Sequence, residues 1–298
     1  MKQSRAYPSP HLGLVMGVLA VSTAATFIRL AQGEMSSLAV AAWRLALASL
    51  ILAPFALALR WRELGSLTGR EWLLAVGSGV LLAIHFASWI SSLALTSVAA
   101  SVALVSTNPL FVGLLSYLLL KEKPTRSMLT GMAIAVFGSA VIGLGDLGAG
   151  THRFAGDFLA LVGAIAGAGY FLIGQRLRAR LSLLGYVFPV YGVAAVALVA
   201  VALCSRTQMV GHPPMTWLWL LLMAVGPQIV GHSSLNWALR HLPATYVTLA
   251  ALGEPIGSAL LVWWILDESP TWLAAAGGAM VLLGIAVASW PLAKKSGP

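Results

Sequence analysis

Charge is scarce in this sequence, and that scarcity decides the class of protein. Only 9% of the 298 residues are charged, against roughly 25% in a soluble domain. Such a chain has too few ionic groups to cover a water-facing surface. Cysteine is all but missing: Cys204 stands alone in an apolar run. A disulfide within the chain and a cysteine-based metal site are both excluded. Neither HExxH nor GxSxG occurs, and no dense carboxylate or histidine cluster replaces them, so an intramembrane enzyme acting on lipid has no motif behind it. No metal and no cofactor is implied. Acidic residues number half the basic ones, nine against 18, giving a net charge of +9. The basic residues are scattered between apolar runs as loop charges are in membrane proteins, which argues against a nucleic-acid partner.

What fills the chain instead is hydrophobic sequence, 59% of it. The apolar runs have the roughly 17–25 residues that cross a bilayer core. They segment into ten spans, near 12–31, 36–59, 72–95, 98–120, 127–145, 156–177, 183–204, 216–239, 243–266 and 272–291. The expected fold is therefore an all-α membrane protein with the lipid bilayer as its main partner. The first run ends without an obvious cleavage site and reads as a retained helix rather than a signal peptide. With ten spans, fourteen of the 18 Lys and Arg fall on one side; Arg29, Arg153 and Arg206 fall on the other, and Arg44 lies within a span. Basic loops stay inside, which predicts cytoplasmic termini.

A motif is repeated. Pro109, Glu122, Pro124, Gly131 and Gly138 recur as Pro255, Glu268, Pro270, Gly277 and Gly284, each offset by 146. Two units, 12–145 and 156–291, follow. Each holds five spans, an odd number, so the second unit is inverted relative to the first. Inverted repeats place a shared site near the bilayer midplane and let rocking expose it to either face. A small-molecule transporter is the expected function, with a structural bundle as the bland alternative. A non-transporting receptor or scaffold is a further rival, without a soluble domain here to relay a signal.

These features resemble the drug/metabolite transporter superfamily, specifically proteins with two EamA-type five-helix domains. The stretches TSVAASVALVSTNPLFVGLLSYLLLKEKPTRSMLTGMAIAVFGSAVIG and LPATYVTLAALGEPIGSALLVWWILDESPTWLAAAGGAMVLLG carry the resemblance. Around HFASWISSLALTSVAASVALVSTNP the chain is most similar to the YddG-type aromatic amino-acid exporters. The resemblance implies a bacterial inner-membrane exporter whose cavity is lined by spans 1, 3, 4, 6, 8 and 9. Efflux of lipophilic cations, or of other amino acids and metabolites, remains an alternative. The repeat is imperfect, since Pro189 and Val190 stand where the first copy has Trp43 and Arg44.

Intramembrane polar residues are the site candidates, because hydrocarbon cannot satisfy them. Glu254, beside Pro255, reads as a protonation switch or a counter-charge for a substrate ammonium, against a packing carboxyl. For Arg44 a substrate carboxylate competes with a structural partner such as Glu34 or free helix-end carbonyls; its reach toward the interface favours structure. His85 and His232 occupy near-equivalent repeat positions. His85, Ser88, Trp89 and Ser92 share a helix face, as do Gln228, His232 and Asn236, and both stripes read as cavity lining or as interhelical glue. Asn108 precedes Pro109 as Glu254 precedes Pro255, and each proline is expected to act as a hinge or fixed kink. Of eleven tryptophans, most sit at span ends in interfacial belts; Trp89, with Tyr191 and Trp237, is deep enough to stack on a planar substrate, and Trp43 is another wall. Gly131 and Gly138, their counterparts, and Gly163 and Gly167 permit close helix approach within or between subunits, so oligomeric state is left open.

Overall fold

The computed structural model describes residues 9–120, 125–145, 151–267 and 271–295. Four positions of the repeated motif, Glu122, Pro124, Glu268 and Pro270, lie outside these residues, as do Lys2, Arg5, Lys121 and Lys123. The described residues form helices and no strand. In chain order they are α1 (Pro10–Ser22), α2 (Ala24–Gln32), α3 (Ser37–Gly65), α4 (Gly69–Leu93), α5 (Val98–Val105), α6 (Asn108–Leu120) and α7 (Arg126–Gly145). There follow α8 (Thr151–Arg178), α9 (Leu183–Cys204), α10 (Pro214–Met223), a π-helical segment (Ala224–His232), α11 (Ser233–Ala238), α12 (Ala244–Ala250), α13 (Gly253–Leu266) and α14 (Trp272–Lys295).

Starts are chemically marked. Ser36, Ser97 and Ser182 each cap a helix by accepting from the backbone N–H three residues on, and Thr68 with Glu71 forms a full capping box. Eight helical stretches among the described residues are long and apolar enough to cross a membrane. Their outer faces suit lipid: Leu73, Val196 and Trp264 are 72%, 71% and 83% exposed. Two shorter apolar stretches, Leu129–Gly138 in α7 and Ala275–Ala288 in α14, accompany them. Cys204 is the exposed last residue of α9.

Several expected continuous spans are broken. The first divides at Thr23, whose hydroxyl donates to Ala20 O at 2.8 Å, a back-bond that loosens a helix. The fourth divides at Ser106–Thr107 and the ninth at Ala251–Leu252. The two prolines therefore do not kink a continuous helix. They sit in the first turn of restarted helices, α6 and α13, where a missing N–H removes no helical bond. The eighth span contains the π segment around Pro227, a widened turn that places Gln228 and His232 inside.

The two glycine pairs of the motif are consumed within the chain. α7 packs on α14 so closely that a Cβ added at Gly131 would meet Gly284 O at 2.1 Å, and one at Gly138 would meet Gly277 O at 2.7 Å. These distances are not compatible with a side chain. Gly131→Ala is expected to cost about 1–3 kcal/mol of stability through overpacking, whereas Gly278→Ala, beside an open space, is expected to be neutral. Thermal unfolding in detergent compares them, and equal melting temperatures would remove the close-packing role.

Candidate functional site

Helix α8 organises the centre of the molecule. Its small residues Gly163 and Gly167 admit α4 and α6, and its carbonyls take polar side chains from both. His85 Nδ1 lies 2.8 Å from Gly163 O, and a carbonyl only accepts, so Nδ1 carries the proton and Nε2 is left as an acceptor. Asn108 Nδ2 donates to Ala164 O at 2.8 Å, while its Oδ1 has no partner among the described residues. His85 stacks on Trp89 with ring centroids 5.9 Å apart and planes at 27°. His232 stands 6.3 Å from His85 and 5.2 Å from Phe86, centroid to centroid.

These residues line a cavity of about 60 Å³. Val21 comes from α1, His85 and Trp89 from α4, Val105 from α5, Asn108 and Pro109 from α6, and Phe171 from α8. The remaining wall is His232, Leu235 of α11, Thr248 of α12 and Glu254 of α13, with Ser106, Ala251 and Leu252 from the two helix breaks. Both halves of the sequence contribute. Both broken stretches restart at this cavity, so the N-terminal ends of α6 and α13 border it. A space of this size holds about five waters and is far below the roughly 300–1,000 Å³ of a ligand pocket. The cavity must widen to take an organic solute.

Of the residues expected at a site, His85, Trp89, Asn108, His232, Glu254 and Pro109 line this cavity. Pro255 does not. It borders a neighbouring apolar groove of about 230 Å³ with Ala103, Ile256 and Gly278, which shares Ser106 with the cavity. Tyr191 and Gln228 do not line it either; both are fully buried and joined to each other, the Tyr191 hydroxyl donating to Gln228 O at 3.4 Å. Trp43 is anchored elsewhere, donating to Met209 O and lying edge-on to Trp217. Trp237 packs on Gly13 and His241. Neither Trp43 nor Trp237 is a cavity wall.

Arg44 departs most from expectation. It does not reach for an interface and does not pair with Glu34. Its side chain is fully buried, Nε donates to Gln228 Oε1 at 2.8 Å, and Cζ lies 4.1 Å from the Phe86 ring centroid. The contact joins α3 to the π segment, across the two halves. A second cross-half link lies near the loop ends: Ser182 donates through N and Oγ to Glu63 at 2.6 Å each, and Arg180 pairs with Glu71. Hydrogen bonding to Glu71 holds the Arg180 guanidinium above its ordinary pKa.

The sequence left other contributors unmarked. Phe86, between Arg44 and His232, and Tyr170, which receives a hydrogen bond from Asn236, sit at the heart of the polar cluster. Tyr170 stands three residues beyond Gly167 in the otherwise apolar stretch Phe158–Gly174 of α8, which is the signal that could have found it; Phe86 carries none.

Comparison with known proteins places this architecture. A solved crystal structure shares the fold over 97% of this chain and 99% of that one, with a TM-score of 0.69 at 21% identity. Two uncharacterized transporters of Archaeoglobus fulgidus are similar: one is 24% identical over 275 residues, covering 92% of this chain and 94% of that protein, the other 26% identical over 290, covering 92% and 95%. The uncharacterized transporter YdfC of Bacillus subtilis is 26% identical over 194 residues, covering 63% of this chain and 62% of that protein. The EamA-like transporter family matches twice, over residues 9–144 and again over 154–290. This multi-pass membrane protein belongs to the EamA-like transporter family.

Proposed function

We propose that the chain is a bacterial inner-membrane exporter of small amphipathic metabolites, aromatic amino acids first among them, working by alternating access. The observation that carries the reading is the composition of the cavity: a stacked Trp89–His85 pair beside Glu254 and the free oxygen of Asn108. An aromatic shelf binds a planar side chain, and carboxylate and amide oxygens accept from an ammonium group. His232 supplies a further polar contact, and Gln228 with Tyr191 supports it from behind. Glu254 serves as coupling group or counter-charge, and Arg44 as the opposing charge.

In this reading ten spans form two inverted five-helix repeats, 12–145 and 156–291, with both termini cytoplasmic. The double family match, the repeated motif and the two helix breaks at corresponding positions support it. Discontinuous helices bordering a central cavity are the feature by which many inverted-repeat carriers build their site.

Efflux of lipophilic cations is the second reading. It is favoured by Glu254, whose carboxylate makes no hydrogen bond or ion pair with a described residue. Purified protein in liposomes separates the two. Saturable flux of labelled tryptophan or phenylalanine, with Trp89→Ala raising KM about tenfold through lost stacking, is the expected outcome. Flux of an organic cation without flux of any amino acid would favour the second reading, and no flux of either would sink both.

A further inference from the structure

The hydrogen bonding of Arg44 is unfinished. Nε is engaged and the Phe86 ring covers one face, yet Nη1 and Nη2 have no hydrogen-bond partner among the described residues. Gln228, whose Oε1 receives the Nε bond, leaves its own Nε2 unpartnered, and the indole Nε1 of Trp89 is in the same condition. His232 Nδ1 is also open and can donate in one tautomer. Most of the unmade bonds on this side are thus donors, with Asn236 Oδ1 the open acceptor among them. Toward the helix breaks the pattern reverses: Asn108 Oδ1 is an acceptor without a partner among the described residues, and the Glu254 carboxylate, a second acceptor, faces the cavity.

A guanidinium stays charged, and a charge at bilayer depth calls for a counter-charge. Glu254 interacts with Arg44 electrostatically but makes no ion pair with it. A residue serving only as helix glue would spend its Nη groups on backbone carbonyls, as Arg178 does on Leu181 O in this same protein. Arg44 does not.

We infer that Arg44, with Gln228 and His232, forms the receptor for the carboxylate of the transported solute. The inference rests on the transporter reading and deepens it, since it makes an anionic head group a requirement. A carboxylate brings four acceptor positions and no donor, the complement of the open guanidinium edge and the Gln228 amide. Arg44 is not itself a cavity wall. Phe86 contacts it and also packs on His232 and Trp89, which are walls. The widening that admits a solute parts this layer and uncovers the guanidinium. The ammonium of a zwitterion is then left to Glu254 and Asn108.

The test compares L-phenylalanine with L-phenylalaninamide, which differ only at the carboxylate. In proteoliposomes of the full chain, wild type is expected to prefer phenylalanine at least about 30-fold in kcat/KM, the scale of a lost buried charge pair. Arg44→Gln is expected to collapse that ratio to near unity, chiefly by raising KM for phenylalanine, while KM for the amide stays within about twofold. Arg44→Lys, which keeps charge but loses the fork, falls between. A structural role would lower both fluxes together and leave the ratio alone. The inference fails if wild type handles the two compounds alike, a measurement that needs no variant to fold, or if Arg44→Gln retains the preference. Absence of wild-type flux for both compounds and for tryptophan defeats the parent reading of an amino-acid exporter, an outcome distinct from flux without discrimination.

Discussion

Proteoliposomes carrying Glu254→Gln are expected to equilibrate substrate but not to concentrate it when a pH gradient is imposed. Wild type, if one proton moves per solute, accumulates about tenfold for each unit of gradient, because a unit is worth about 1.4 kcal/mol. The substitution is chosen for its narrow effect. Glutamine keeps the volume and one acceptor of glutamate, so the cavity bordered by Glu254, Asn108 and His85 retains its shape. What is removed is the exchangeable proton and the negative charge beside the N-terminus of α13, where a charge is favoured by the helix dipole. Two outcomes divide the roles given to Glu254. Lost concentrating ability with KM unchanged assigns it to coupling. A raised KM for ammonium-bearing solutes, with the gradient response kept, makes it a counter-charge only. A variant identical to wild type in both respects would falsify any transport role for this carboxylate.

How much of this was legible in the sequence depended on whether a feature was periodic or relational. Apolar length and basic loops announced a membrane bundle, because hydrocarbon imposes both on composition. Intramembrane polarity picked out His85, Trp89, Asn108, His232 and Glu254, which converge on one cavity although 169 positions separate His85 from Glu254. Burial depth was not legible. Arg44 stands only seven residues into α3, near enough to a helix end to suggest snorkelling, yet packing of α3 against α9 and the π segment encloses it. The form of the backbone beside the prolines was not legible either. Their position in mid-span led to the expectation of a hinge or a fixed kink; the helices break two to four residues before each proline and restart, which leaves the prolines in first turns. Tyr191 and Gln228 were found as polar residues, but their depth behind the cavity was not legible, since a helical face does not say how many layers stand between it and the cavity.

Gly167→Leu should abolish transport without removing any polar group. A Cβ at Gly167 would stand 2.8 Å from Asn108 Nδ2 and 3.0 Å from His85 Nδ1, closer than such contacts are found in close-packed interiors. Both side chains are held by carbonyls one turn earlier on the same helix, Ala164 O and Gly163 O, so neither can retreat while keeping its bond. A leucine there either displaces α8 from α4 and α6 or breaks the two hydrogen bonds and leaves their buried donors unpaired, at about 1–3 kcal/mol each. It also adds three further carbons to an interface that already borders a cavity of about 60 Å³. Flux is expected to fall by about 100-fold or more, roughly the effect of displacing binding groups by an ångström. Gly192→Leu supplies the control, because nothing lies within 4 Å of a Cβ at that position on α9. If Gly167→Leu reaches the membrane, resists thermal unfolding like wild type and still carries phenylalanine at the wild-type rate, then His85 and Asn108 do not shape the path. Loss of flux in Gly167→Leu with Gly192→Leu unaffected ties transport to the Gly167 contact rather than to glycine content in general.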